Sequence, residues 1–215
     1  MKIFPLVFAV FLPFIGKAQI SDSTHSPQIY FKANALLLPV GIINAGAEYQ
    51  LKQKVTVQAD LLISPWKSFS GKPLQIYIAG LDARYYFKEA FQNWYLGANI
   101  SASRYIMQKW NYWSDGPYQY RPDSPVYVAS DLYQRGFSAM LGATVGYQLQ
   151  LNDRWNMDVF LGGGNVQSFY KGYHKKLGIR YDTDPDRNYN RSGEWMIYRG
   201  GVMIAYKLKN HEHKK

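Results

Sequence analysis

Residues 137–149 alternate from end to end. Phe137, Ala139, Leu141, Ala143, Val145, Tyr147 and Leu149 take the odd positions. Ser138, Met140, Gly142, Thr144, Gly146 and Gln148 take the even ones. A period of two is that of a strand with one apolar and one polar face. Eight stretches carry the same pattern: 29–38, 43–51, 55–64, 75–87, 94–105, 136–149, 155–168 and 195–208. The links at 52–54, 88–93 and 150–154 are short, and those at 65–74, 106–135 and 169–194 are long. The first link, 39–42, is short and breaks the trend. Alternating short turns and long loops are the habit of outer-membrane barrels. The pattern therefore predicts an all-β fold, an eight-stranded antiparallel up-and-down transmembrane β-barrel.

Each stretch has a consistent apolar face. Examples are Val55, Val57, Ala59, Leu61 and Ile63, then Trp94, Leu96, Ala98, Ile100 and Ala102. The last stretch is expected to present Tyr198, Gly200, Val202, Ile204, Tyr206 and Leu208 on that face. Aromatics end many of these faces: Tyr49, Phe87, Trp94, Tyr147, Trp155 and Tyr206 at the short-turn side, Trp66 and Trp195 at the other. Aromatics with an apolar body and polar tip prefer the headgroup level of a bilayer. The opposite faces carry Lys32, Glu48, Asp60, Asp82, Arg84, Asp158, Arg199 and Lys207, four acids against four bases. Such a balance suits a closed lumen whose ions pair with one another. A soluble lipocalin-like ligand binder also alternates, but its apolar face lines a cavity. The charged polar face favours the membrane barrel.

Composition agrees. Aromatics make up 17% of the chain, with 19 tyrosines, which fits interfacial belts better than a soluble domain. Beyond the first segment no apolar run is long enough for a transmembrane helix. Residues 1–18 read as a signal peptide, with Lys2, an apolar run from Ile3 to Ile15, and Gly16 and Ala18 before Gln19. Residues 19–28 follow as a periplasmic linker, 29–208 as the barrel and 209–215 as a basic tail. An even strand count puts both termini in the periplasm. The absence of cysteine removes disulfides, thiolate metal sites and lipoprotein processing. Loss of Lys2 and Lys17 takes the formal charge from +10 to +8. The bases are scattered, so nucleic acid is not an expected partner. Membrane lipid and lipopolysaccharide are the natural counter-charges, and a monomer is expected.

Several segments together carry a family resemblance: KANALLLPVGIINAGAEYQL, SPWKSF, DARYYF, RWNMDVFLGGG and the closing RGGVMIAYKL. The chain resembles the Bacteroidetes outer-membrane barrel family called domain of unknown function 3575, over residues 30–208. That resemblance implies a barrel and transfers no activity and no catalytic residues.

Candidate chemistry is sparse. Among His25, His174, His211 and His213, only His174 falls in a long loop, and Lys175 and Lys176 follow it rather than a spaced serine. Asp182, Asp184 and Asp186 alternate as in a calcium loop, but Arg187 occupies the place of the required glycine. Neither motif supports an enzyme, a metal or a cofactor. The loop 107–135 holds Trp110, Tyr112, Trp113, Tyr118 and Tyr120. These are candidates for recognition of a surface glycan or protein, with packing of the loop on itself as the plainer reading. The expected role is a non-enzymatic structural or surface-interaction one, with the loops as the working surface. A lipid-modifying enzyme and a small-solute pore are the alternatives, and eight strands leave little room for the pore.

Overall fold

The computed structural model describes residues 27–208. The signal segment, the first part of the linker and the basic tail lie outside the described residues.

Ten strands form, eight of them large. They are β1 (Ile29–Asn34), β2 (Ile43–Lys52), β3 (Val55–Phe69), β4 (Lys72–Tyr86), β5 (Asn93–Met107), β8 (Leu132–Gln150), β9 (Trp155–His174) and β10 (Asn190–Lys207). Two short strands, β6 (Pro117–Gln119) and β7 (Val126–Val128), pair inside the longest loop. The eight close into a barrel in the order β1-β10-β9-β8-β5-β4-β3-β2, antiparallel throughout. Closure removes the sheet edges that would otherwise template aggregation. We call the end with the short links the turn end and the other the loop end.

The strands incline to the barrel axis. Pairings followed from Tyr30 through Glu48, Gln58, Asp82, Asn99, Gly142 and Gly164 arrive at Met196. That point on β10 lies beyond Met203, where pairing with β1 stops. The ladder thus climbs toward the loop end on its way around, the stagger that closure requires.

Strand ends shift at the loop end: β1 stops at Asn34 rather than residue 38, and β5, β8, β9 and β10 run further into the long links than the alternation predicts. Two further expectations change there. Residues 65–74 are not a long link. β3 and β4 continue to a two-residue turn between Phe69 and Lys72, with Ser70 at φ 49° and Gly71 at φ 79°. Two positive φ values in succession match the twist of a tight hairpin. Pro65 reads as a strand stop, but pairing with β2 ends at Ile63. Beyond it the strand is an edge, where proline is tolerated. The second change is a bulge in β10 between Ile197 and Arg199. It turns Tyr198 inward, where its hydroxyl bonds Asn99 Oδ1. Tyr198 therefore does not belong to the outward face, and Trp195 and Ile197 take that side, 82% and 63% exposed.

Gly142 makes room for this inward tyrosine. A Cβ there would stand 2.1 Å from the Gly163 carbonyl oxygen and 2.6 Å from Tyr198 Oη. The first is backbone of the neighbouring strand, and the second is held by its hydrogen bond to Asn99. Gly142→Val is expected to destabilise the barrel by ~1–3 kcal/mol through overpacking. Denaturant titration of the refolded protein reads the shift, and an unchanged midpoint would refute the close packing.

Candidate functional site: a plugged lumen beneath a tyrosine lid

The outward face is mainly apolar and the interior mainly polar. Leu61, Leu96 and Leu141 are exposed, while Lys32, Glu48, Asp82, Arg84 and Asp158 are buried. An inward apolar cavity of the lipocalin type is not formed by these strands.

Five buried charges meet in the turn-end half of the lumen. Arg84 sits at the centre. Its Nε donates to Asp82 at 2.9 Å, and its Nη1 donates to Glu48 at 3.1 Å and Asp158 at 2.9 Å. Lys32 donates to Asp158 at 2.8 Å and pairs with Glu48. All five side chains are fully excluded from solvent. Hydroxyls complete the cage. Thr56 donates to Glu48 at 2.5 Å and Tyr95 to Asp158 at 2.9 Å, with the Arg84 guanidinium 4.6 Å from the Tyr95 ring. The Tyr86 hydroxyl lies 2.7 Å from Glu48 Oε1 and 2.6 Å from Gln148 Oε1. One hydroxyl donates once. Turning the Gln148 amide over lets its N–H donate to the Tyr86 oxygen and satisfies an amide nitrogen otherwise without a partner.

Arg199 and Asp60 form a second, less buried pair at 2.8 Å, with Arg199 3.8 Å from Asp82. Lys207 does not join the network. It is half-buried and pairs in register with Tyr30, one inward position closer to the turn end than Ala205, the partner of Lys32. Tyr30 and Ala205 belong to an apolar plug between Lys207 and the acids. The interior thus holds four acids against three bases rather than four against four.

That plug has no signature in the alternation pattern. Phe91, in the short link between β4 and β5, folds into the barrel at φ 67° and is 2% exposed. Its ring lies 4.4 Å from Tyr30 and 6.2 Å from Tyr86. Asn156 Nδ2 holds its carbonyl oxygen at 3.1 Å. The left-handed backbone costs of order 1–3 kcal/mol, which burial of the ring offsets. A Phe within a short polar link was the one available hint.

The loop end is also covered. Tyr112, Ala129, Leu132 and Tyr181 form a buried cluster, with Tyr118, Tyr120 and Tyr127 packed against it. The Tyr181 hydroxyl donates to Tyr112 Oη at 3.1 Å, and the ring lies against the inward side of Gly172, where a Cβ would fall 2.3 Å from it. Burial among other phenols pushes the Tyr118 and Tyr181 hydroxyls well above their usual titration range. Arg121–Asp184 at 2.5 Å and Lys176–Asp131 at 2.9 Å tie the two long loops together. The aromatics proposed for recognition therefore divide. Tyr112, Tyr118 and Tyr120 build the lid, whereas Trp110 and Trp113 face out at 80% and 58% exposure.

The remaining motif residues have structural places. Asp182 is buried and accepts from the Gly172 amide at 2.5 Å, from Arg180 at 2.7 Å and from Asn190 Nδ2. Asp184 accepts from the Asp186 amide and from Arg121. The three acids do not converge, and no cluster suited to a metal occurs among the described residues. His174 Nδ1 accepts the Lys176 and Leu177 amides, capping a turn.

A comparison with curated proteins gives no match. Residues 6–206 match the sequence model of a family described as protein of unknown function, DUF3575, and the chain belongs to that family.

Proposed function

We propose that the protein is an outer-membrane β-barrel of non-enzymatic, structural or surface-interaction role. The barrel is its anchor and the covered loop end its working surface. The observation that carries this reading is the reversal of sides, with ions inside and apolar side chains out. The outward apolar band is bounded by aromatics at both ends. Phe31, Phe87, Trp94 and Trp155 ring the turn end, and Trp66, Phe137 and Trp195 stand at the loop end, all exposed. From Tyr147 to Phe137 along β8, at ~3.3 Å per residue and ~40° of tilt, the band is about 25 Å tall. That is the height of the apolar belt of outer-membrane barrels. No helix among the described residues is long and apolar enough to cross a membrane; strands do the crossing in this reading.

The turn end then faces the periplasm with both termini. The Phe91 plug and the Arg84 cage speak against a small-solute pore, and no observation favours enzymatic chemistry. Exposed Trp110 and Trp113 are the proposed contacts for a surface glycan or protein, since aromatic anchors usually dominate an interface.

Fractionation tests the reading. The mature protein, beginning at Gln19, is expected with outer membranes, migrating differently in heated and unheated gel samples. In planar bilayers the pure protein is expected to give no steady conductance. Recovery as a soluble periplasmic monomer would refute the membrane assignment, and a large stable conductance would refute the closed lumen.

A further inference from the structure

Four basic side chains converge on the outward wall at the loop end: Arg104 of β5, Arg135 of β8, Lys171 of β9 and Arg191 of β10. Their strands are consecutive neighbours around the barrel. Arg104 pairs with Phe137, Phe137 with Phe169, and Phe169 with Arg191, so these four occupy one row. Arg135 and Lys171 pair directly in the next row toward the loop end. Since Phe137 projects outward, the period of two places all four cations outward as well.

This arrangement opposes the ordinary rules of a sheet surface. Like charges directly opposite each other on neighbouring strands are destabilising. None of the four makes an ion pair among the described residues. The nearby acids are engaged elsewhere: Asp131 with Lys176, Asp182 with Arg180, Asp184 with Arg121 and Glu194 with Lys109. Aromatic pairs frame the cations instead. Phe137 and Phe169 stack at 5.2 Å on one side of the Arg135–Lys171 pair, and Tyr133 and Tyr173 stack at 5.7 Å on the other. Lys171 Nζ lies 4.6 Å from the Tyr189 ring, and the Arg191 guanidinium 5.7 Å from the Phe169 ring.

We propose that this patch binds the phosphate groups of an anionic, phosphorylated glycolipid of the outer leaflet. The inference rests on the membrane reading above, because only insertion brings headgroups to this height. Below the cations the wall of β5 and β8 is Ala102, Ala139 and Leu141, an apolar surface for acyl chains, while β9 places Gln167 and Asn165 there, hydrogen-bonded to each other at 2.7 Å. The cations stand at the level of the loop-end aromatics, where headgroups begin. Arginine offers a planar fork to phosphate oxygens and lysine a compact charge, so the set serves a ligand with more than one phosphate. An anion between Arg135 and Lys171 turns their repulsion into shared attraction.

The test uses the full mature protein in phosphatidylcholine nanodiscs, with bis-phosphorylated lipid A as probe and native mass spectrometry as readout. Wild type is expected to retain lipid A, and chemically dephosphorylated lipid A at least tenfold less. R135Q/K171Q and, separately, R104Q/R191Q are each expected to weaken retention at least tenfold. K52Q/R154Q, at the turn end, is expected to leave it unchanged. Equal retention of both lipids, or full retention by both loop-end variants, would overturn the site. Displacement by millimolar inorganic phosphate would overturn its assignment to a lipid. A protein that inserts but does not discriminate loses only this proposal, whereas one that never enters the nanodisc loses the membrane reading as well.

Discussion

Arg84→Leu is expected to cost on the order of 3–5 kcal/mol of stability, the penalty typical of breaking a buried ion cluster from one side. The substitution fits the volume. Its damage is electrostatic. Glu48, Asp82 and Asp158 then face one another with Lys32 as the sole fully buried cation left among them. Asp82→Leu removes one acid from a set that holds an excess of acids, so it is expected to cost less than Arg84→Leu. It still strands the Arg84 Nε donor, so it is expected to cost more than Asp123→Leu in the loop, which lies outside the cluster. Guanidinium titration of the refolded barrel in detergent, followed by tryptophan fluorescence, separates the three. A loss below about 1 kcal/mol for Arg84→Leu would mean that water reaches these groups and screens them.

Tyr181→Ala is expected to open the lid without unfolding the barrel. The ring is 7% exposed, touches Tyr112 through its hydroxyl and fills the space left by Gly172. Truncating a buried aromatic costs about 3–5 kcal/mol, and here the loss falls on the loops alone. Trypsin cutting at Lys175, Lys176 or Arg187 is expected to accelerate by roughly a hundredfold or more, since ~3 kcal/mol of local opening is two factors of ten in population. The barrel fragment is expected to keep its denaturation midpoint. Trp110→Ala with Trp113→Ala is the contrast: both rings are exposed, so cleavage rates should hold while any partner binding falls. If Tyr181→Ala leaves cleavage unchanged, the ion pairs between the loops hold the lid by themselves.

The strands that build the wall were legible because the side reversal leaves a plain imprint. Each position faces either outward or into the lumen, and the period of two repeats that choice along the strand. Where that contrast fades, so does legibility. Beyond the apolar band the outward positions of β8 and β9 become Arg135, Tyr133, Lys171 and Tyr173, so the last turns of these strands read as loop. Pro65 reads as the end of a strand because a sequence does not say on which side a residue lacks a neighbour.

The candidate site was legible as chemistry and not as contacts. The alternation named Lys32, Glu48, Asp82, Arg84 and Asp158 as inward charges. Which acid meets which base depends on register and stagger, and Lys32 reaches Asp158 across 126 positions of chain. The same stagger leaves Lys207 outside the network. Phe91, Tyr198 and Tyr181 were decided by tertiary structure alone. Phe91 lies in a link with no period, Tyr198 lies at a bulge that local preferences do not specify, and Tyr181 takes its burial from a loop distant in sequence. Sequence by itself determined the fold class, the strand count and the sidedness, because hydrophobic partition acts on each residue locally. The plug, the ion partners and the split of aromatics between lid and surface waited on closure of the barrel, because each needs segments that meet only when β1 finds β10.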